Sequence, residues 1–116
     1  MKPFAVNVRE LGPRRLVIEI SGELDMAVAD QVKAGLRAAM AESDEILVVL
    51  SDCEFIDSTG IATLVLARNS FAETGGRLVL CEPIDQVRRV LTLSGLAEDG
   101  VVFDDLDAAL SHPASG

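Results

Sequence analysis

The stretch Ile46-Leu-Val-Val-Leu-Ser-Asp-Cys-Glu-Phe-Ile-Asp-Ser-Thr-Gly-Ile-Ala-Thr-Leu-Val-Leu66 decides the fold. It opens on an unbroken aliphatic run, Ile46 to Leu50. That length and branching suit a central strand buried on both faces. It closes on a helical pattern from Ile61 to about Phe71. Ile61, Leu64 and Val65 form its core stripe, and Ala62 and Leu66 widen it. Between the two lies an acidic corner, Asp52 to Gly60, that carries two hydroxyls, Ser58 and Thr59. A buried strand that turns directly into a helix is the repeating unit of an α/β protein.

Downstream the unit recurs. Gly75-Gly76 ends the helix, and Arg77 to Cys81 reads as another short strand. Pro83 suits a helix's first turn. Val87, Val90 and Leu91 give that helix its stripe, and Gly95 stops it. Val101 to Phe103 reads as an edge strand. Asp104 or Asp105 then caps a short helix through Leu110, and the tail, 111 to 116, is expected to be loose.

Upstream, Val28, Val32, Leu36 and Met40 recur every four residues between Asp25 and about Ala41. That is an amphipathic helix, with Asp30, Lys33 and Arg37 on its polar side. Gly35 inside it costs up to about 1 kcal/mol relative to Ala, unless a neighbour needs the space. Before it, Phe4 to Val8 and Leu16 to Ile20 alternate in polarity around Gly12-Pro13, the pattern of an antiparallel hairpin. The expected order is β-β-α-β-α-β-α-β-α. We therefore expect one α/β domain over 1–116, with its core at about 4–110. Its sheet should be mixed but mostly parallel, of four or five strands, with the N-terminal hairpin and about four helices.

The formal net charge of −9 argues against partners with phosphate backbones or anionic lipid surfaces. All four aromatic residues are phenylalanines, too few for base-stacking platforms. The N-terminus, Met-Lys-Pro-Phe-Ala, lacks the apolar core of a signal peptide, and no aliphatic run is long enough to span a bilayer. The chain reads as soluble and cytoplasmic, with no nucleic acid and no membrane among its partners. Two cysteines, Cys53 and Cys81, and one histidine, His112, make neither a disulfide framework nor a zinc site.

In open α/β sheets, sites gather beyond the carboxyl ends of the parallel strands. Two loops leave those ends here, Ser21 to Asp25 and Asp52 to Gly60. If their strands are neighbours, Asp25 and Ser58 approach each other. Three roles are open to Ser58. It is a helix N-cap, a duty Asp57 can take instead; or a nucleophile; or a site of modification. A nucleophile needs a base, and only His112, Lys2 and Lys33 are on offer. Asp-Ser-Thr-Gly is also not the Gly-x-Ser-x-Gly elbow, so we expect no enzyme and no catalytic residue. Glu23 and Asp25 with Asp52, Glu54 and Asp57 imitate a carboxylate pair or a Mg²⁺ site. A helix cap at Asp25 and solvated loop charges elsewhere account for them, so no metal and no cofactor is expected. For Gly60, close packing of helix on sheet is the plain account. A phosphate on Ser58 adds about −1.5 to −2 charge, which a helix N-terminus tolerates and a docked partner does not.

These residues resemble the STAS domain family, and within it the bacterial anti-sigma factor antagonists. The resemblance runs from about Phe4 to Leu110. It rests on Gly22-Glu-Leu-Asp25, Phe55-Ile-Asp-Ser-Thr-Gly60, Gly75-Gly-Arg-Leu78 and Leu93-Ser-Gly-Leu96. It implies that the unphosphorylated chain binds an anti-sigma factor and so releases a sigma factor. The anti-sigma factor is itself a serine kinase with an ATPase-type fold, and a serine phosphatase reverses its action. Carried over, the phosphosite is Ser58 rather than Thr59. Partner contact falls on Glu23, Asp25, Asp57, Ser58, Thr59 and Gly60. The same fold also serves as scaffold or transporter-associated subunit without such a switch. A further alternative places Cys53 and Cys81 after adjacent strands, close enough for a redox-controlled disulfide.

Overall fold

The computed structural model describes residues 2–96 and 100–111. His112 and the rest of the tail expected to be loose lie outside them, while Ser111 belongs to the last helix. The elements run β1 (Ala5–Glu10), β2 (Arg15–Leu24), α1 (Ala29–Glu42), β3 (Glu45–Val49), β4 (Cys53–Ile56), α2 (Ser58–Glu73), β5 (Arg77–Cys81), α3 (Asp85–Leu93), β6 (Val102–Phe103) and α4 (Leu106–Ser111). The expected α/β class, the antiparallel hairpin and the four helices are present. The expected corner contains one strand more than the sequence pattern announces.

The main sheet has the order β1-β2-β3-β5-β6, and only β1 pairs antiparallel. β3 sits at its centre, with Ile46, Leu47 and Val48 at 0% exposure, as its apolar run requires. Side chains alternate across the sheet. Leu16, Ile18, Ile20, Ile46, Val48, Leu78 and Leu80 face the layer of α1, α2 and α3. Val17, Leu47, Val49, Val79 and Cys81 face the other way, under Ala109 of α4 and Leu11.

β2 is ten residues long and changes partner along its length. It pairs with β3 as far as Glu19 and with β4 from Gly22 onward, with a register irregularity between Gly22 and Glu23. Gly22 serves this switch. Its φ is +85°, and a Cβ there would stand 2.8 Å from the backbone of Phe4. Only glycine fits so close an approach in that conformation. β4 is invisible to pattern reading because its four residues, Cys-Glu-Phe-Ile, follow a burial pattern of buried, intermediate, exposed, buried rather than strict alternation.

Two helices begin elsewhere than their periodicity suggests. α1 starts at Ala29, with Val28 as N-cap and no side-chain cap bond, because residues 25–28 form a turn. α2 starts at Ser58, three residues before its apolar stripe. Pro83 lies ahead of α3, whose N-cap is Ile84. Gly95, with φ +89°, follows α3 as expected, and Asp105 caps α4 through the N–H of Ala108 at 2.7 Å.

Cys53 and Cys81 are both free and fully buried, on β4 and β5, which do not pair. They belong to core clusters on opposite faces of the sheet. Side chains that point apart cannot be bridged without moving backbone, so the redox-switch alternative is corrected. Burial pushes the Cys81 thiol up to about 12 and also raises that of Cys53. Both are therefore neutral thiols.

Candidate functional site

The corner is assembled around one carboxylate. β4 lies parallel beside the end of β2, with Leu24 opposite Ile56. The Asp57 N–H then donates to the Leu24 carbonyl at 3.2 Å. Asp57 is the N-cap of α2 in extended conformation, and its Oδ1 accepts from the Gly60 N–H at 2.8 Å. Its other oxygen, Oδ2, accepts from the Met26 N–H at 3.2 Å. One side chain thus fastens the β2 loop to the helix N-terminus. The two loops singled out from topology do meet, and Asp57 joins them.

Gly60 is buried at this junction. A Cβ on it would lie 2.5 Å from the Leu24 carbonyl oxygen. The helix rests directly on the β2 backbone, the close packing expected of this glycine. Asp25 accepts from the Ala27 N–H at 3.0 Å through Oδ1, and its carbonyl accepts from Val28. It closes a turn ahead of α1 rather than capping the helix, a correction to the cap expected there.

Ser58 is exposed, at the first position of α2. Its hydroxyl has no hydrogen-bond partner among the described residues, because Asp57 has taken the capping duty. Thr59 is half-buried, and its carbonyl accepts from the Thr63 hydroxyl at 2.9 Å. Glu23 is exposed on β2 opposite Phe55. No acidic residue occupies the first turn of α2, so its free N–H groups and positive dipole end remain available to an anion.

Three neighbours complete the corner in places that sequence alone does not assign. Met26 and Phe55 are large apolar side chains left 74% and 46% exposed beside the corner. Lys2 crosses above Gly22 to the acidic loop. Its N–H donates to Glu54 Oε1 at 2.7 Å and its ammonium pairs with Asp52. Met26 and Phe55 stand among other apolar residues (Leu24, Ala27, Cys53, Ile56), so nothing in the pattern marks them as exposed. Lys2 carries no signal in sequence either, because its partners lie fifty residues away.

The arrangement holds a hydroxyl outward on a rigid backbone. Among the described residues no lysine stands beside it: Lys2 pairs with Asp52 and Lys33 is on α1. Among the described residues, no group of three or more His, Cys, Asp or Glu side chains is placed to hold a metal ion. Also among them, no helix is long and apolar enough to cross a membrane.

The STAS domain model matches residues 5–109. An anti-sigma F factor antagonist of Paenibacillus polymyxa is 28% identical over 99 residues, covering 84% of this chain and 85% of its own. An anti-sigma factor antagonist from Mycobacterium paratuberculosis has the same fold, with TM-score 0.84 and 24% identity over 94% of this chain and 92% of its own. Unphosphorylated SpoIIAA superposes with TM-score 0.79 at 24% identity, covering 92% and 94% of the two chains. The fold also recurs in the murine anion transporter Slc26a9, with TM-score 0.74 and 18% identity, over 88% of this chain but 18% of that one. With the family's model matched from the first strand to the last helix, and the Asp-Ser-Thr-Gly corner built as described, the chain belongs to the STAS domain family, alongside its anti-sigma factor antagonists.

Proposed function

We propose that this chain is a phosphorylation-controlled anti-sigma factor antagonist acting in the cytoplasm. Unphosphorylated, it binds an anti-sigma factor that is also an ATPase-type serine kinase, and so releases a sigma factor. Phosphorylation of Ser58 breaks that complex, and a serine phosphatase restores it. The chain acts by binding and has no catalytic residue of its own.

The observation that carries this reading is the division of labour between Asp57 and Ser58. Asp57 holds the backbone through two N–H groups, while the adjacent hydroxyl is exposed and unpartnered. A phosphate there leaves every bond of the corner in place and meets the uncapped N–H groups of the first helical turn. The modification then acts outward, on the surface formed by Glu23, Asp25, Asp57, Ser58 and Thr59; Gly60, expected among the contact residues, is buried beneath them. Negative charge there is already high, so an added phosphate changes the charge balance of the surface and overfills a close contact. SpoIIAA has also been solved in its phosphorylated form, which supports a fold that accommodates the group.

The test is a paired capture with Ser58→Ala and Ser58→Glu as baits. Both should fold, with stability within about 0.5 kcal/mol of the parent, because the hydroxyl bonds to nothing. The alanine bait should retain an ATPase-type anti-sigma kinase and the glutamate bait should lose it. Equal capture by both baits, or capture of a transporter assembly by both, would reject the switch.

A further inference from the structure

α1 and α2 pack side by side on the helical face of the sheet and leave an open groove of about 280 Å³. Leu36 and Met40 line it from α1, and Leu66 and Ala67 from α2, with Lys33 and Arg37 on the α1 side. The spacing from residue 33 to residue 40 makes it about two helical turns, or roughly 10 Å, long.

Three observations mark this groove. Leu66 is 61% exposed, although it stands on a helix whose other large residues are mostly covered. Lys33 and Arg37 are exposed, one turn apart, and make no ion pair or hydrogen bond among the described residues. Lys2, Arg9, Arg14, Arg15, Arg77 and Arg88 each hold a carboxylate, whereas Arg89 on α3, away from this groove, is exposed like Lys33 and Arg37 and holds none among the described residues. In a chain with 19 acidic and 10 basic residues, two cations without carboxylates beside an apolar groove call for an anionic complement. Finally, the solvent-facing column of α2, Ser58, Ala62, Leu66 and Ser70, carries no charge. It leads from the corner to the groove without a charged residue in between.

We infer that the groove between α1 and α2 is a docking site for an acidic amphipathic helix of a protein partner. Apolar side chains at i, i+4 and i+7 of that helix lie over Met40, Leu66 and Ala67, above the buried Leu36, and its flanking carboxylates meet Lys33 and Arg37. A two-turn groove walled by two helices fits a third helix along its length. The site is separate from the Ser58 corner and stands whether or not Ser58 is phosphorylated.

The probe is a synthetic helical peptide with leucines at those spacings and glutamates along one flank, compared with a scrambled peptide of the same composition. Amide chemical shifts of the whole chain are followed during titration, for the parent and for Lys33→Glu/Arg37→Glu, Leu66→Glu and Ser58→Glu. All four substituted positions are solvent-facing, and undisturbed spectra before titration confirm folding. We expect saturable shifts along residues 33–40 and 63–70. Affinity should fall about tenfold or more in the charge-reversed and Leu66 variants, and stay unchanged in Ser58→Glu. Equal binding of patterned and scrambled peptides, or equal binding by the charge-reversed variant, would overturn the site. So would binding of sodium dodecanoate at these residues with none of the peptide, which assigns the groove to a lipid. Shifts that follow protein concentration alone would assign it to a second copy of the chain and equally overturn it. Loss of peptide binding in Ser58→Glu would overturn its independence from the corner.

Discussion

Replacing Gly60 with alanine tests how tightly the corner is built. The added methyl would stand 2.5 Å from the Leu24 carbonyl oxygen and 2.9 Å from Leu24 Cγ and Ile56 Cγ1. Ordinary contact begins at 3.4 Å, so the first turn of α2 must lift by about 0.9 Å. The closest atom is backbone, held by pairing with β4 and by the Asp57 N–H, and cannot swing away. A lift of that size takes the 2.8 Å bond between the Gly60 N–H and Asp57 out of range. Overpacking costs about 1–3 kcal/mol and a lost N-cap about 1 kcal/mol, while alanine's better helix propensity returns up to about 1 kcal/mol. The expected net loss is about 1–3 kcal/mol. Gly35→Ala supplies the control, since nothing lies within 4 Å of its Cβ position and its φ is not positive. The same change there should stabilise the fold by about 0.5–1 kcal/mol. Urea unfolding followed by far-ultraviolet circular dichroism reads both, because the chain has no tryptophan or tyrosine. A Gly60→Ala protein as stable as its parent, or two variants that shift in the same direction, would refute the close helix–sheet contact.

Two further predictions follow from the same geometry. Asp57→Ala should lower stability by about 1–2 kcal/mol, because it leaves the N–H groups of Gly60 and Met26 unpaired; the amide shift of Met26 should move with it. Stability should also fall at alkaline pH. Burial raises both thiols above the ordinary value of 9.0, Cys81 to about 12, so the unfolded chain loses those protons first. The contribution is full below about pH 9 and is lost as pH rises toward the folded value. Urea midpoints measured across that limb should fall less steeply for Cys81→Ala, and an unchanged slope would count against the burial account.

Much of this was legible in advance because it depends on local periodicity. The run Ile46 to Leu50 is apolar on both faces and could only be a central strand; it is β3. The four-residue spacing of Val32 and Leu36 faced the core as read. At the helix start Ser58 and Asp57 compete for the cap, and local sequence does not choose between them. The choice turns on Asp57 reaching Met26, a residue 31 positions away. β4 was missed because its burial comes from lying beside β2 and under α3, not from alternation within four residues. That the two cysteines face apart is hidden from local sequence for a related reason. Position along a strand gives the face of a side chain only once the strand's neighbours are known, and Cys53 and Cys81 turned out to face apart.

The class of fold, the order of nearly all its elements and the location of the corner are written in the local pattern of the chain. Those properties follow from hydrophobic period, glycine and proline punctuation, and charge, each carried by residues close together in the chain. Tertiary structure alone decided which acid holds the corner, why Gly60 must be glycine, and that Lys33 and Arg37 stand without carboxylate partners beside an apolar groove. These are distances between segments far apart in sequence. They are set by how β2 changes partners at Gly22 and how the helices settle on the sheet, which no local pattern encodes.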